Sequence, residues 1–218
     1  DVAKELINIG FESCILSSGG EMAEKYKYRG VEHYELNMKS KGVMKYLFLK
    51  KKFKDILTTI RPDIIHIRSR WPAFCFNKIV QNLRIPLVTT YHGTYSGSNF
   101  FLKRKYNSFM TQGDKVITIS KFIDDHVRHY FPLVKSNLVQ IDRGIDTNYF
   151  DLNSVPEKRK ENILSKLKLS ENSHVLLLPA RITSWKGHLI ALEAANLIAQ
   201  RSPNLNFIIL FVGSEDGK

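Results

Sequence analysis

The segment "VLLLPARITSWKGHLIALEAANLIAQ" (175–200) sets an apolar run, a polar turn and a helical pattern in immediate succession. Val175–Pro179 is apolar on both faces, which is typical of a strand buried within a parallel sheet. Ligands bind beyond the carboxyl ends of such strands, where the next helix offers unpaired N–H groups and the positive end of its dipole. Arg181 and Lys186 bracket the turn before a helix predicted from Gly187, so together they could hold one anion, such as a diphosphate. Alternatively, both are solvated loop cations.

Strand and helix patterns alternate along the rest of the chain. Apolar runs predict further strands at Ser13–Ser17, His33–Leu36, Ile64–Arg68, Leu87–Tyr91, Lys115–Ile119, Leu138–Ile141 and Phe207–Val212. Amphipathic patterns predict helices near 43–60, 73–83, 99–112, 121–130, 157–168 and 187–201. This alternation indicates βαβ units with a mainly parallel sheet, so the predicted fold class is α/β.

The polar stretch 142–160, which carries Gly and Pro, is predicted to link two α/β domains. We place the domains at 1–150 and 173–218, with 151–172 as linker and helix. Both ends look cut. An amphipathic pattern begins at Val2 without the central strand and loop that open a doubly wound fold, and the second unit is too short for a full domain. We therefore expect a fragment whose function is that of a longer parent protein.

Composition limits the function classes. The chain has 218 residues, is 43% hydrophobic and carries a formal net charge of +12, so it can bury a large core and favours an anionic partner such as a nucleotide, a phospholipid surface or a nucleic acid. Its two cysteines, Cys14 and Cys75, indicate neither a disulfide framework nor a cysteine metal cluster. No apolar run approaches the length of a membrane span and no export signal opens the chain, so a cytoplasmic location is expected.

Five motifs together point to one enzyme family. They are "RPDIIHIRS" (61–69), "PLVTTYHGTYS" (86–96), "GDKVITISKFIDDHV" (113–127), "RGIDTNYF" (143–150) and the segment 176–217. In order and spacing they resemble motifs of the retaining glycosyltransferases of family 4, which have the GT-B fold of two Rossmann-like parallel-sheet domains with the active site between them. The resemblance implies an acceptor-side domain at 1–150 and a truncated nucleotide-sugar-binding domain from 173.

The resemblance gives the two cations of the opening segment a role. Arg181 and Lys186 match the family's pair that neutralises the diphosphate of a nucleotide-sugar donor and stabilises the charge that builds on the leaving group. This electrostatic role replaces a metal ion, and no D-x-D pair or close cluster of His, Asp and Glu is present to hold one. Neither a metal nor a cofactor is expected.

Four more positions match the family's donor side. His92, after the strand Leu87–Tyr91, should stand at the carboxyl edge of the sheet and donate a hydrogen bond to the transferred sugar, although an isolated histidine is more often a loop or capping residue. Gly93 would let the backbone approach the donor, or is a plain turn glycine. Ser120 is either a donor contact or, as favoured here, a helix N-cap. Gly213 borders the donor site or lies in a turn.

The resemblance also marks departures. Arg143, Gly144 and Asp146 match the segment that passes between the domains, but many members have asparagine at position 143, so the resemblance assigns Arg143 no specific role. The family's E-x7-E element, which holds the nucleotide ribose, and its glycine loop after the first strand would fall outside 1–218. The chain alone is therefore expected to lack full activity.

The basic stretch "KGVMKYLFLKKKFKDIL" (41–57) suggests a second partner. Val43, Met44, Leu47 and Phe48 could form one helical face beside many lysines, a pattern that binds anionic lipid. Alternatively, it is the solvated face of a core helix, which we favour because the apolar side is needed for packing. Many family members act on lipid-linked or envelope glycans, so peripheral attachment at the cytoplasmic membrane face is a candidate location.

The expected function is retaining transfer of a sugar, of the hexosyltransferase type, from a nucleotide-diphosphate sugar to a glycan or lipid-linked acceptor. Cell-surface polysaccharide, lipopolysaccharide or glycolipid synthesis is the expected setting. A nucleotide-sugar epimerase would share the architecture but lack the "HG…ISKF…GID" series. A basic nucleic-acid-binding module would place aromatics among exposed Lys and Arg, whereas the aromatics here lie mostly within apolar patterns, so no nucleic acid is expected.

Overall fold

The computed structural model describes residues 2–20, 23–24, 30–38, 42–95, 100–134, 136–170 and 174–214. The chain divides into two units, residues 1–144 and 145–218. This division lies a few residues before the predicted boundary at 150.

The first unit alternates strands and helices. Its strands are β1 Cys14–Ser17, β2 Glu32–Glu35, β3 Ile65–Ile67, β4 Leu87–Tyr91, β5 Lys115–Thr118 and β6 Leu138–Gln140. Its α-helices are α1 Val2–Asn8, α2 Val43–Ile60, α3 Arg70–Asn82, α4 Phe101–Asn107 and α5 Lys121–Tyr130. Every strand of this unit overlaps a predicted one.

The strand pairs described in the first unit are parallel, as predicted. The order β3-β4-β5-β6 forms a four-stranded sheet, and β1 pairs with β2 in a two-stranded one. Within the described residues the pairing therefore gives two sheets rather than one. Because neighbouring strands run the same way, the carboxyl ends of β3 to β6 meet at one edge, and residues that follow these strands lie there together.

Two helices differ in their bounds from the sequence patterns. The helix predicted at 99–112 ends as an α-helix at Asn107 and continues as a 3-10 turn, Ser108–Thr111. The Ser108 hydroxyl donates to Lys105 O at 2.7 Å and that of Thr111 to Ser108 O at 2.9 Å, so side chains compete with the helical ladder. The helix predicted at 73–83 starts at Arg70, since a proline in its first turn costs no hydrogen bond.

The core of the first unit joins buried side chains of α2, α3 and α5 with those of the four-stranded sheet. Leu49, Phe53 and Leu57 of α2 recur every four residues and are buried, with the ring of Phe53 stacked on Phe76 at 4.1 Å between centroids. The predicted apolar face of Val43, Met44, Leu47 and Phe48 is therefore not the packing face at the last three positions, and the side chain of Val43 lies outside the described residues. Met44 is 81% exposed, Leu47 55% and Phe48 59%, because the buried stripe runs along a different side of the helix.

The described part of the second unit contains one βαβ motif, as predicted. β7 (His174–Pro179) and β8 (Phe207–Val212) pair in parallel, and α7 (His188–Arg201) connects them. The predicted linker 142–160 is irregular except for a 3-10 turn at Leu152–Ser154, but its last residues already belong to α6, Glu157–Lys166. None of the described helices is long and apolar enough to cross a membrane.

Candidate functional site

Two histidines and two arginines gather at the carboxyl edge of the four-stranded sheet. His66 lies in β3 and Arg68 just after it, His92 follows β4, and Arg143 lies beyond β6. His66 pairs in register with Val88, so Thr90, two residues on, presents its side chain on the same face. His66 Nε2 accordingly lies 2.7 Å from Thr90 Oγ1.

His92 stands where the sequence placed it, at this edge. Arg143 Nη2 approaches His92 Nδ1 to 3.2 Å. Burial lowers the pKa of His92, and the positive charges of Arg68 and Arg143 lower it further. The imidazole is thus held neutral near pH 7, as a hydrogen-bonding group rather than a cation.

His66 is a member of this edge that the sequence argument missed. Burial, the charge of Arg68 and the neighbouring His92 lower its pKa from 6.5 to about 4. The available signal was a titratable residue in the middle of an apolar strand, "IIHIR" (64–68), where a polar side chain needs a partner. His66 is therefore neutral and hydrogen-bonded beside His92.

Tyr95, in the loop that begins at His92, packs against Tyr91 and Arg70. The ring of Tyr95 lies 4.7 Å from that of Tyr91, and the Arg70 guanidinium lies 4.3 Å above Tyr95 while donating to Asn107 Oδ1 at 3.0 Å. A Cβ added to Gly93 would meet nothing within 4 Å, and its φ is not positive. Neither crowding nor a left-handed turn therefore accounts for Gly93 within the described structure.

Ser120 is a helix N-cap, the alternative favoured from sequence. It precedes α5, and its Oγ accepts a hydrogen bond from Ile123 N at 3.3 Å. Sequence reasoning passed over the neighbouring Asp124, whose buried carboxylate accepts from Thr118 Oγ1 at 3.1 Å and pairs with Arg128. These contacts fasten the start of α5 to β5.

In the second unit the loop between β7 and α7 carries both predicted cations. Arg181 follows β7, and Lys186 ends a 3-10 turn, Ser184–Lys186, with its ammonium 4.2 Å above the Trp185 ring. Gly187 then takes a φ of 79°, a left-handed conformation suited to glycine, and α7 begins at the next residue without a side-chain cap. Both cations thus belong to a short loop that leads into an uncapped helix N-terminus.

Gly213 fixes the position of this loop. A Cβ at Gly213 would stand 2.1 Å from Ala180 O and 3.2 Å from Arg181 Cα, so no side chain fits. Ile182 N also donates to Ser214 O at 3.0 Å, which ties the loop after β7 to the residues after β8. The predicted alternative of a plain turn glycine does not account for this position, because a residue with a Cβ could not fit there.

The same loop holds buried polar atoms without a hydrogen-bond partner among the described residues. They are Thr183 Oγ1 and both ring nitrogens of His188, the first residue of α7. The His188 ring packs edge-on against Phe211 at 5.1 Å between centroids. Buried polar groups normally find partners, so the loop offers hydrogen-bonding capacity beside its cations.

The described residues contain no group of three or more His, Cys, Asp or Glu side chains that could hold a metal ion. A cavity of about 530 Å³ lies between α2 and α3 and not at the sheet edge. Lysines and aliphatic side chains line most of this cavity, and the lysines suit the binding of an anion. The histidines of the sheet edge do not line it.

The parallel α/β units give the chain the architecture of the GT-B glycosyltransferases. The chain belongs to Glycosyltransferase Family 4, whose model matches residues 1–149. The predicted family and fold class are thereby confirmed. None of the curated proteins matches the chain.

Solved structures give the same fold. A glycosyltransferase from Rickettsia africae ESF-5 superposes with a TM-score of 0.78 at 29% identity, over 98% of this chain and 63% of that one. Anabaena HepE, in complex with UDP and glucose, gives 0.71 at 17% identity, over 97% of this chain and 56% of that one. A UDP-N-acetylglucosamine 2-epimerase from Rickettsia bellii gives 0.59 at 15% identity, over 96% and 56%. The chain thus spans less than two thirds of each of these structures.

Proposed function

We propose that the protein transfers a sugar from a nucleotide-diphosphate donor to an acceptor with retention at the anomeric carbon. The observation that carries this proposal is the loop of Arg181 and Lys186 before the uncapped N-terminus of α7. The structures of Anabaena HepE in complex with UDP and with UDP-glucose support a nucleotide-sugar donor for a protein of this fold. UDP is therefore the first ligand to test.

The proposed chemistry at this loop is charge stabilisation. When the bond between the anomeric carbon and the diphosphate oxygen breaks, its electron pair moves to that oxygen, and the leaving diphosphate gains negative charge. Arg181 and Lys186 stabilise this charge together with the N–H groups at the start of α7. Thr183 Oγ1 and the His188 ring can supply further hydrogen bonds to the same ligand. No metal or cofactor is part of the proposal.

In the first unit, His92 is the proposed catalytic residue. Its neutral ring donates a hydrogen bond to a hydroxyl of the transferred sugar or to charge that develops during transfer. Gly93, with open space where a Cβ would stand, leaves room for the donor. Gly213 acts on the donor through the loop it positions, and Ser120 by starting α5. The proposed acceptor is a glycan or lipid-linked glycan of a cell-surface polysaccharide, lipopolysaccharide or glycolipid.

Calorimetry and product analysis test this function. The full-length protein should bind UDP or another nucleoside diphosphate and bind the matched nucleoside far more weakly, because most of the affinity comes from the diphosphate. With a labelled nucleotide sugar and a glycan acceptor, NMR should show the product with the anomeric configuration of the donor. Formation of an epimer of the nucleotide sugar without any acceptor would instead identify an epimerase. Salt-sensitive binding of generic RNA without nucleoside-diphosphate binding would contradict both enzymes.

A second proposal concerns the membrane. The exposed Met44, Leu47 and Phe48 at the start of α2, here called the α2 patch, take no part in the core. Beside them Lys50, Lys51, Lys54 and Lys78 line the groove between α2 and α3. Exposed apolar groups next to lysines suit the interface of an anionic membrane. We propose peripheral attachment at the cytoplasmic face through the α2 patch and these lysines.

Vesicle sedimentation tests the attachment. The protein should pellet with phosphatidylglycerol vesicles and not with phosphatidylcholine vesicles. Lys51→Gln combined with Lys54→Gln should weaken binding about 30-fold, since each lysine near an anionic surface contributes about 1 kcal/mol. The same change at Lys158 and Lys166 of α6 is the matched control. If both double variants lose the same amount of vesicle affinity, the effect is one of net charge, and the α2 patch with its lysines is not a specific binding surface.

A further inference from the structure

We propose that Arg143 is a positioning residue which holds His92 as the tautomer with its proton on Nε2. The geometry that carries this inference is the approach of Arg143 Nη2 to His92 Nδ1, at 3.2 Å. The two residues are 51 positions apart and meet because β4 and β6 end at the same edge of the parallel sheet. Family resemblance assigns no role to position 143, so the inference rests on this contact.

The tautomer follows from the chemistry of the two side chains. A guanidinium has only N–H donors and stays protonated, so it can contact a ring nitrogen favourably only where that nitrogen accepts. His92 Nδ1 must therefore carry its lone pair toward Arg143. In a neutral imidazole the proton then resides on Nε2. His92 is left with one donor, Nε2–H, on the ring atom farther from Arg143.

The groups around His92 favour the same state. Arg68 adds a second positive charge, and both arginines lower the pKa of the ring. His66 is neutral and bonded to Thr90. Tyr95 forms a hydrogen bond with the backbone of His92. Burial acts in the same direction, so each of these described influences disfavours the imidazolium.

Catalysis would use this arrangement directly, a step that rests on the proposed function. A hydrogen bond to the sugar needs a donor at a fixed position, and the other tautomer would present a lone pair there instead. Arg143 thus acts through His92 without touching the donor. It also excludes His92 Nδ1 as a general base, because that lone pair is already bonded.

Nitrogen NMR of the full chain labelled at histidine tests the tautomer itself. Two-bond proton–nitrogen correlations should show His92 with Nε2 protonated in the unaltered chain. Arg143→Met keeps the length of the side chain and removes the donors. It should give a mixture of tautomers or a higher His92 pKa. Arg159→Met, at an exposed position of α6, removes the same charge elsewhere and should leave His92 unchanged. An unchanged His92 spectrum and titration in Arg143→Met would overturn the inference.

Turnover separates this inference from the proposed function. Arg143→Met should lower kcat by up to about tenfold, which corresponds to the free energy of one exposed charge-assisted hydrogen bond. The KM for the donor should change little. Arg143→Lys, which keeps a charged donor, should recover part of the loss. In a His92→Gln background, whose amide nitrogen replaces Nε2–H without tautomers, Arg143→Met should have little further effect. A changed tautomer with unchanged turnover would support the role of Arg143 and refute the proposed role of His92.

Discussion

Gly213→Ala offers a local test of the loop that carries Arg181. The new Cβ would stand 2.1 Å from Ala180 O and 2.7 Å from its carbonyl carbon. Both neighbours are backbone atoms, so no side chain can rotate away. The loop must retreat by about 0.9 Å, from 2.1 to 3.0 Å, before the closest contact becomes tolerable. Overpacking of this kind costs about 1–3 kcal/mol, and here the displaced backbone includes Arg181 Cα.

We expect two effects of this change. The second unit should lose about 1–3 kcal/mol in urea unfolding followed by Trp185 fluorescence, and nucleoside-diphosphate binding should weaken because Arg181 moves. Gly144→Ala is the matched control, since a Cβ there meets nothing within 4 Å and its φ is not positive. If Gly213→Ala unfolds and binds like the unaltered protein, the described approach of the two loops is wrong.

Three further predictions follow from the first unit. The folded His66 has a pKa of about 4 against 6.5 in the unfolded chain. Between these values only the unfolded chain binds the proton, so stability falls as the pH drops from 6.5 to 4. In His66→Gln the difference between urea unfolding at pH 7 and at pH 5 should shrink; an equal difference would argue against a buried neutral ring. Gly113→Ala would bring a Cβ to 2.6 Å from Lys115 O and should cost about 1–3 kcal/mol of unfolding free energy, whereas unchanged stability would rule out this crowding. His92→Ala should lower kcat at least about tenfold with unfolding near that of the unaltered protein, and full turnover would return His92 to a loop residue.

Much of the fold could be predicted because hydrophobic patterning is a local property of the sequence, and an alternation of strand and helix patterns indicates a parallel sheet. Leu87–Tyr91 and Phe207–Val212 match the observed strands in full. Patterning could not decide which side of α2 is buried, since Met44, Leu47 and Phe48 are as apolar as the residues that pack. That choice depends on where α3 lies against α2, which is a tertiary fact.

The candidate site was predictable where a residue directly follows a strand. His92, Arg181 and Gly213 all lie just beyond the carboxyl end of a strand. In parallel α/β sheets this is where ligands bind. Arg143 and His66 were missed as partners of His92 because their contacts depend on register between strands far apart in sequence. The need for glycine at 213 likewise comes from close backbone approach, which no local pattern encodes.

Nucleoside-diphosphate binding by Arg181 and Lys186 variants tests the central claim most directly. Calorimetry on the full-length protein should compare Lys186→Ala and Arg181→Lys with the unaltered protein, using UDP and uridine. Lys158→Ala, which removes one exposed charge from α6 of the same unit, controls for net charge. Each charge-assisted contact to the diphosphate should contribute about 1.5–3 kcal/mol.

We predict that Lys186→Ala binds UDP about ten- to a hundredfold more weakly, with the largest loss at low salt. Arg181→Lys should also bind more weakly, because lysine lacks the planar fork that matches phosphate oxygens. Lys158→Ala and all uridine titrations should be unaffected. If both loop variants bind UDP as tightly as the unaltered protein, Arg181 and Lys186 are solvated loop cations and the donor site lies elsewhere.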